Sequence, residues 1–254
     1  MDWLPTVLAA AFGAVIGSFL NVCIHRLPHH QSVVRPPSRC PKCGHQLAWY
    51  ENLPVLSYAV QRGRCRACGS PISARYPIIE TVTAAMFAAA FWYFGPTVIF
   101  AQRVLLGCIL IVLFAIDLEH HLLPDAITLP GIAAGFAFSF FAPPGWLASL
   151  AGITFGYGIL YAIAEAYFRV RHEEGLGGGD LKMLAMIGAF LGWKLTILTL
   201  IMASFAGSFA GILLIATRRG SMKYALPFGT FLAIGAAVSA TVGTGFVDWY
   251  LGML

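Results

Sequence analysis

Two aspartates stand at the ends of apolar runs, where an ionisable side chain is costly and usually functional. Asp117 follows one such run and opens the segment DLEHHLLPDAITLP, and Asp180 precedes another run in EEGLGGGDLKMLAMIGAFLG. Two carboxyl groups that lie close together share one proton, so their titrations separate. The ionised member can then activate a water while the protonated member donates to a scissile carbonyl. The pattern predicts aspartic-protease chemistry by Asp117 and Asp180.

A glycine-rich stretch lies directly before Asp180 and could admit a peptide. Gly177, Gly178 and Gly179 carry no side chains, so an extended substrate could approach and hydrogen-bond to the main chain. We therefore predict that these three glycines and Lys182 bind substrate. The alternative is that Asp180 is only an N-cap behind a flexible loop.

Other polar residues near Asp117 have simpler explanations. Asp125 follows a proline and begins an apolar run, which is typical of a helix N-cap, and we assign it a supporting role. Glu119, His120 and His121 could form a metal site, but their spacing is equally that of a solvated loop.

Four cysteines form two C-x2-C pairs that are separated by 21 residues: Cys40, Cys43, Cys65 and Cys68. Each pair makes a tight turn, and two turns can place four thiolates at the corners of a tetrahedron, as zinc requires. The alternatives are disulfides or free thiols, and a reducing cytoplasm argues against disulfides. We expect about one zinc ion per chain, supplying much of the folding energy of this short segment.

The composition is that of a membrane protein, because 59% of the 254 residues are hydrophobic and only 11% are charged, whereas soluble domains carry about 25% charged residues. Runs of roughly 17–25 apolar residues can cross a bilayer. Eight runs are candidates: 3–24, 77–94, 97–116, 126–141, 146–168, 181–193, 195–217 and 224–251. We predict an all-α polytopic membrane protein with about eight transmembrane helices. The first run lacks a basic start, so we expect it to stay as an anchor.

Basic residues are concentrated in three segments, which hold fourteen of the sixteen lysines and arginines: 26–75, 169–182 and 218–223. With eight spans, these segments fall on one side of the lipid bilayer, and the positive-inside rule makes that side cytoplasmic. Asp117 and Asp180 then share the cytoplasmic edge. The absence of interleaved aromatic residues argues against nucleic-acid binding.

The chain is predicted to have three parts. A first transmembrane helix covers 1–24, a cytoplasmic zinc-binding domain covers 25–76, and a transmembrane peptidase core covers 77–254. The middle part is polar, proline-rich and basic, and it is the one large loop between predicted spans.

Several segments together resemble the type IV prepilin peptidases, the bifunctional leader peptidase/N-methyltransferases of bacterial pili and type II secretion. The likeness covers nearly the whole chain and rests on FGAVIGSFLNVCIHRLP at 12–28, the cysteine pairs, ENLPVLSYAVQRGRCRACGSPISARYPIIE at 51–80, DLEHHLLPDAITLP at 117–130, GGGDLKMLAMIGAFLG at 177–192 and LPFGTFLAIG at 226–235. The Gly-x-Gly-Asp signature is shared with presenilin-like proteases, but the combination is specific. Thr230 departs from the pattern, since proline is common there, and we expect no consequence for catalysis.

The resemblance implies a function. Members cut a positively charged leader from prepilins and pseudopilins at the cytoplasmic face of the bacterial inner membrane. They then methylate the new N-terminal residue with S-adenosylmethionine. The family's catalytic pair falls on Asp117 and Asp180, and its cysteine quartet falls on the four cysteines above.

The methyl-donor site has no recognisable fingerprint, because no G-x-G-x-x-G motif opens a soluble strand–turn–helix unit. We place the site at the cytoplasmic cleft and take four polar residues as candidates: Glu51, Asn52, Arg75 and Glu80. Three other functions are open: a presenilin-like protease without methyltransferase activity, a proton-carrying transporter, and a non-catalytic zinc-bearing scaffold of a secretion system.

Overall fold

The computed structural model describes residues 3–172, 177–217 and 226–253, and within these ranges the regular structure is helical apart from two isolated β-bridges. The helices are α1 (Trp3–Arg26), α2 (Leu56–Val60), α3 (Arg75–Phe94), α4 (Val98–His120), α5 (Asp125–Phe138), α6 (Trp146–Arg171), α7 (Gly178–Ala216) and α8 (Phe228–Leu251). The prediction of an all-α protein is confirmed.

Six of the described helices are long and apolar enough to cross a membrane: α1, α3, α4, α6, α7 and α8. The chain is thus a multi-pass membrane protein, but the predicted count of eight spans is not confirmed. Helix α5 has 14 residues, fewer than the roughly 20 that a bilayer requires. Helix α7 has 39 residues and covers two of the predicted runs.

Gly192 divides α7 into two helical parts, 178–191 and 193–216. Its backbone angles are φ 74° and ψ 167°, a combination that is essentially restricted to glycine. A Cβ at this position would also lie 2.9 Å from the Cβ of Pro144. The break therefore depends on a residue without a side chain.

Glycines let both parts of α7 pack closely on neighbouring helices. In the first part, Gly188 meets Gly152 of α6 backbone to backbone. In the second part, the Thr199 carbonyl lies 2.9 Å from where a Cβ on Gly235 would be, and further along α8 Gly243 lies against Leu195. Since the α7 numbers fall as the α8 numbers rise, α8 runs antiparallel to the second part of α7.

The two ends of α7 lie on the same side of the bundle. The side chain of Leu123, just after α4, lies against both Gly179 at the start of α7 and Gly229 at the start of α8. Because α8 is antiparallel to 193–216, that part ends near the start of α8. The chain therefore reverses at Gly192, whereas a straight helix of this length would extend about 58 Å.

The chain forms two compact units, Met1–Val112 and Leu113–Leu254. In the first unit, the Val55 N–H of the cysteine-bearing segment donates to Glu80 Oε2 of α3 at 2.7 Å. The second unit begins shortly before Asp117, so both predicted catalytic residues lie within one body.

Candidate active site and metal centre

Asp117 lies in the last turn of α4 and is buried, with 4% of its surface exposed. Its Oδ2 atom accepts two hydrogen bonds from Thr230, one from the backbone N–H at 2.6 Å and one from the hydroxyl at 3.0 Å. Thr230 is the third residue of α8, where backbone N–H groups have no partner within the helix. The Asp117 carboxylate therefore caps α8, and the positive end of that helix favours a negative charge.

Asp180 is the third residue of α7 and is half-buried. The N-cap of this helix is Gly177, so the alternative that Asp180 is a plain N-cap is wrong. The Asp180 N–H donates to the Gly177 carbonyl at 3.1 Å, and a Cβ on Gly177 would lie 3.5 Å from Asp180 Oδ2.

Leu123 links the helix ends that carry the two carboxyls. A Cβ on Gly229 would lie 2.9 Å from Leu123 Cδ1 and 3.0 Å from Asp117 Oδ2, and a Cβ on Gly179 would lie 2.8 Å from Leu123 Cβ. The structure thus places the two predicted acids at neighbouring helix ends, on either side of one leucine side chain.

The glycines before Asp180 differ in their surroundings. Gly177 and Gly178 are exposed, and a Cβ on Gly178 would meet nothing within 4 Å. Gly179, in contrast, packs on Leu123. The open main chain beside Asp180 therefore comprises Gly177 and Gly178.

Lys182 forms an ion pair and is therefore not available as an unpaired cation beside the open main chain of Gly177 and Gly178 (the glycine strip). Its ammonium Nζ lies 2.7 Å from both carboxylate oxygens of Asp125. Asp125 is the first residue of α5, whose N-cap is Pro124 and has no side-chain cap. The N-cap prediction for Asp125 is therefore wrong, and its supporting role is an ion pair that joins α5 to the start of α7.

The two C-x2-C turns have the same construction. In the first turn the Cys40 N–H donates to the His45 carbonyl at 2.8 Å, and in the second the Cys65 N–H donates to the Ser70 carbonyl at 2.8 Å. The glycine after each pair takes a positive φ, 73° and 69° respectively. Each turn therefore presents its two thiols on one side.

The four thiols converge, and among the described residues they are the one group of at least three potential metal ligands. All four sulfurs lie within 4.8 Å of one another, with Cys40 and Cys68 at 3.9 Å and Cys43 and Cys65 at 4.0 Å. Tetrahedral Zn–S bonds of about 2.3 Å would place sulfurs about 3.8 Å apart. The quartet therefore fits zinc, and its sulfurs are too far apart for disulfides. Glu119, His120 and His121 form no such group.

The crowded thiols do not all ionise readily on their own. Backbone N–H groups of Cys43 and Lys42 lower the pKa of Cys40 to about 6. Although the His45 N–H favours the thiolate of Cys43, loss of hydration and the neighbouring thiols outweigh it and raise the pKa of Cys43 to about 11. A divalent cation would favour the thiolate at all four positions.

A cavity of about 440 Å³ lies beside the cysteine quartet, and its walls include Tyr50, Glu51, Leu56, Arg64 and Arg66. Glu51 is buried, and its Oε2 accepts the Ala48 N–H at 2.9 Å and lies 3.1 Å from His45 Nε2. These two contacts lower the pKa of Glu51. The cavity thus combines a stable carboxylate with guanidinium, aromatic and apolar groups.

Of the four candidate methyl-donor residues, Glu51 lines this cavity and the other three do not. Asn52 is exposed, and the Arg75 guanidinium lies 5.8 Å from the centre of the Tyr76 ring. Glu80 is buried and accepts a hydrogen bond from the Val55 N–H. Tyr50 and Arg66 also line the cavity, and no sequence motif pointed to either as a methyl-donor candidate.

Together, the helical fold and the two centres define a class: multi-pass membrane proteins that carry a carboxyl pair at helix ends and a four-cysteine centre. Comparison with known proteins makes the assignment specific. Residues 11–94 match the bacterial peptidase A24 N-terminal domain, and residues 104–212 match the type IV leader peptidase family. The chain belongs to the type IV leader peptidase family.

Several relatives bear the name prepilin leader peptidase/N-methyltransferase. One from Myxococcus xanthus (strain DK1622) is 45% identical over 87% of this chain and 66% of the relative. One from Burkholderia pseudomallei (strain 1026b) is 40% identical over 96% of this chain and 88% of the relative. One from Aeromonas hydrophila is 37% identical over 99% of this chain and 95% of the relative. No solved structure matches the chain.

Proposed function

We propose that this protein cleaves the leader peptide of type IV prepilins or pseudopilins and then methylates the new N-terminal residue. The observation that carries the proposal is the position of Asp117 and Asp180 at helix ends that pack on the same leucine, Leu123, in a chain whose relatives are prepilin leader peptidase/N-methyltransferases. The family membership makes the presenilin-like, transporter and scaffold alternatives unnecessary.

The carboxyl pair would hydrolyse the peptide bond by exchanging protons. The ionised carboxylate takes a proton from water as the water oxygen attacks the scissile carbonyl carbon, and the protonated carboxyl gives its proton to the carbonyl oxygen. When the tetrahedral intermediate collapses, the first carboxyl donates its proton to the leaving amine and the second recovers a proton from the intermediate's hydroxyl. The pair returns to its starting state without a metal or a covalent intermediate.

The substrate main chain would lie along the glycine strip. Gly177 and Gly178 leave the backbone beside Asp180 open, and Gly179 lets α7 begin directly against Leu123. A direct contact between Lys182 and substrate stays a prediction, because its ammonium is paired with Asp125.

The topology that fits this site has eight crossings and a cytoplasmic active site in the bacterial inner membrane. The starts of α7 and α8 share one end of the bundle with the end of α4, so 178–191 and 193–216 would count as separate crossings. The eighth crossing would be α5, whose 14 residues would have to cross with help from the loop residues on either side of it. The basic segments then lie on the cytoplasmic side. The cytoplasmic domain over 25–76 would hold zinc through its four cysteines, and 77–254 would form the peptidase core.

S-Adenosylmethionine, when bound, would supply an electrophilic methyl group for transfer to the new amine. The cavity beside the cysteine quartet suits such a molecule, which has a cationic sulfonium, an amino-acid end and an adenine ring. The Glu51 carboxylate would attract the cationic centre, Arg64 or Arg66 would bind the donor's carboxylate, and Tyr50 would pack on the ring.

One experiment tests both activities. The purified full-length protein in lipid nanodiscs is given a prepilin and S-adenosylmethionine, and cleavage and methylation are measured separately, the latter also on precut pilin. Asp117→Asn and Asp180→Asn should each lower cleavage by at least about 10³-fold, since either change removes a proton donor or acceptor, while methylation of precut pilin persists. Asp248→Asn, the same change at the far end of α8, is the matched control.

The methyl-donor cavity makes the converse prediction in the same assay. Glu51→Gln should lower methylation and donor binding at least tenfold and leave cleavage intact. Glu165→Gln, which alters an exposed pair with Arg169, is the matched control. Cleavage by Asp117→Asn or Asp180→Asn at the parent rate would refute the peptidase assignment, and full methylation by Glu51→Gln would refute the cavity.

A further inference from the structure

The two carboxyls of the pair have different hydrogen-bond partners. Asp117 is buried, and its Oδ2 accepts both the N–H and the hydroxyl of Thr230. Asp180 is half-buried, and within the described part of the chain its carboxyl has no pair of donors like that of Asp117, with the Gly177 backbone beside its Oδ2. Hydrogen bonds donated to a carboxylate stabilise its ionised form, so the surroundings distinguish the two acids.

Contrary to the expectation from the sequence that Thr230 has no consequence for catalysis, we infer that Thr230 is a positioning residue that makes Asp117 the ionised member of the pair and leaves the shared proton on Asp180. The inference rests on the proposed function, because it takes the pair to be catalytic. Asp117 is then the group that accepts the proton of the attacking water, and Asp180 is the group that donates to the carbonyl oxygen. Both Thr230 donors occupy Oδ2, so Oδ1 is the oxygen that remains for water.

The position of Thr230 in α8 explains why both of its donors are available. As the third residue of the helix, its N–H has no acceptor four residues earlier. Inside a helix, a threonine hydroxyl often donates to the carbonyl four residues earlier. The Thr230 hydroxyl instead donates to Asp117 Oδ2 at 3.0 Å. With Thr230 only 5% exposed, water competes little for either hydrogen bond.

Among the described residues, few charged groups face Asp117. Asp180 acts on it from α7, and His121 acts on it from the turn that follows α4. Lys182 of α7 is neutralised by Asp125. The ionisable residues of α8, Asp248 and Tyr250, lie at its opposite end. Changes at Thr230 leave all of these groups in place.

Two substitutions remove the donors in steps, and a third is the control that removes none. Thr230→Ser keeps both donors. Thr230→Val keeps the shape and the N–H but loses the hydroxyl. Thr230→Pro loses both donors, and a proline is tolerated in the first turn because it sacrifices no intrahelical hydrogen bond there. The valine variant keeps the test informative if the proline variant folds poorly.

The test is the pH dependence of kcat/KM for prepilin cleavage, whose acidic limb reports the ionisation of the base in the free enzyme. The acidic limb should move to higher pH by roughly one unit in Thr230→Val and further in Thr230→Pro. Thr230→Ser should overlay the parent, and the alkaline limb should stay in place in all variants. The midpoint of thermal unfolding of each variant, measured in a fixed detergent, checks that the protein is folded.

Two results would overturn the inference. A shift confined to the alkaline limb would make Asp117 the protonated member, and unchanged profiles in both Thr230→Val and Thr230→Pro would make Thr230 a structural residue alone. The failure of the proposed function looks different, because Asp117→Asn would then cleave like the parent. An inactive Asp117→Asn with an unaltered Thr230→Val profile rejects the role of Thr230 and leaves the peptidase assignment intact.

Discussion

The four thiols of the cysteine quartet converge on one point, so the removal of one thiol should weaken metal binding by the whole quartet. Purified parent protein should carry about one zinc per chain by metal analysis. Cys65→Ser replaces a buried cysteine of the quartet and should lose most of that zinc during dialysis against a mild chelator, because a hydroxyl is a poor substitute for a thiolate. Cys108→Ala removes a buried cysteine outside the quartet and should keep the metal. A zinc-free parent with four freely reactive thiols would contradict the assignment.

Some residues of the two sites could be predicted from the sequence, and others could not. Asp117, Asp180 and the cysteines are recognisable from residue type and spacing, because their chemistry is local or their position at a helix end is visible. Thr230 is not, since its hydrogen bonds reach a carboxylate 113 positions away. The same holds for Lys182, whose partner Asp125 is 57 positions away. Such pairings depend on how the helices pack, which the apolar pattern does not encode.

At the scale of elements, the reversal within α7 should depend on Gly192. Gly192→Ala forces a Cβ into a backbone region that costs about 1–3 kcal/mol and against Pro144. We therefore expect a clearly lower midpoint of thermal unfolding in a fixed detergent. Gly158→Ala is the matched control, because Gly158 lies inside α6 and a Cβ there would meet nothing within 4 Å. Equal stability of the two variants would show that the reversal does not need glycine.

The sequence predicts where the apolar helices lie, but it does not establish how many times they cross the membrane. All eight predicted runs overlap a described helix, yet α5 ends after 14 residues and two runs join in α7. Hydropathy gives the length of an apolar run. It does not give the backbone angles, and it is the backbone angles of Gly192 that break α7. The close contact of Gly188 with Gly152 likewise needs the partner helix to be known.

At the scale of the whole molecule, the two activities would reside in different units. The cysteine quartet and the adjacent cavity lie within Met1–Val112, and the carboxyl pair lies within Leu113–Leu254. The family matches are also separate along the chain, at 11–94 and 104–212. This division is the reason that cleavage and methylation should be lost independently in the variants above.

The central claim is that Asp117 and Asp180 act together on one peptide bond. It is tested most directly by an experimental structure of the protein with a prepilin-derived peptide whose scissile bond is replaced by a hydroxyl-bearing transition-state mimic. Both carboxyls should lie within about 3.2 Å of that hydroxyl, with the peptide main chain along Gly177 and Gly178. A mimic bound away from the pair, or carboxyls too far apart to reach the same hydroxyl, would contradict the account.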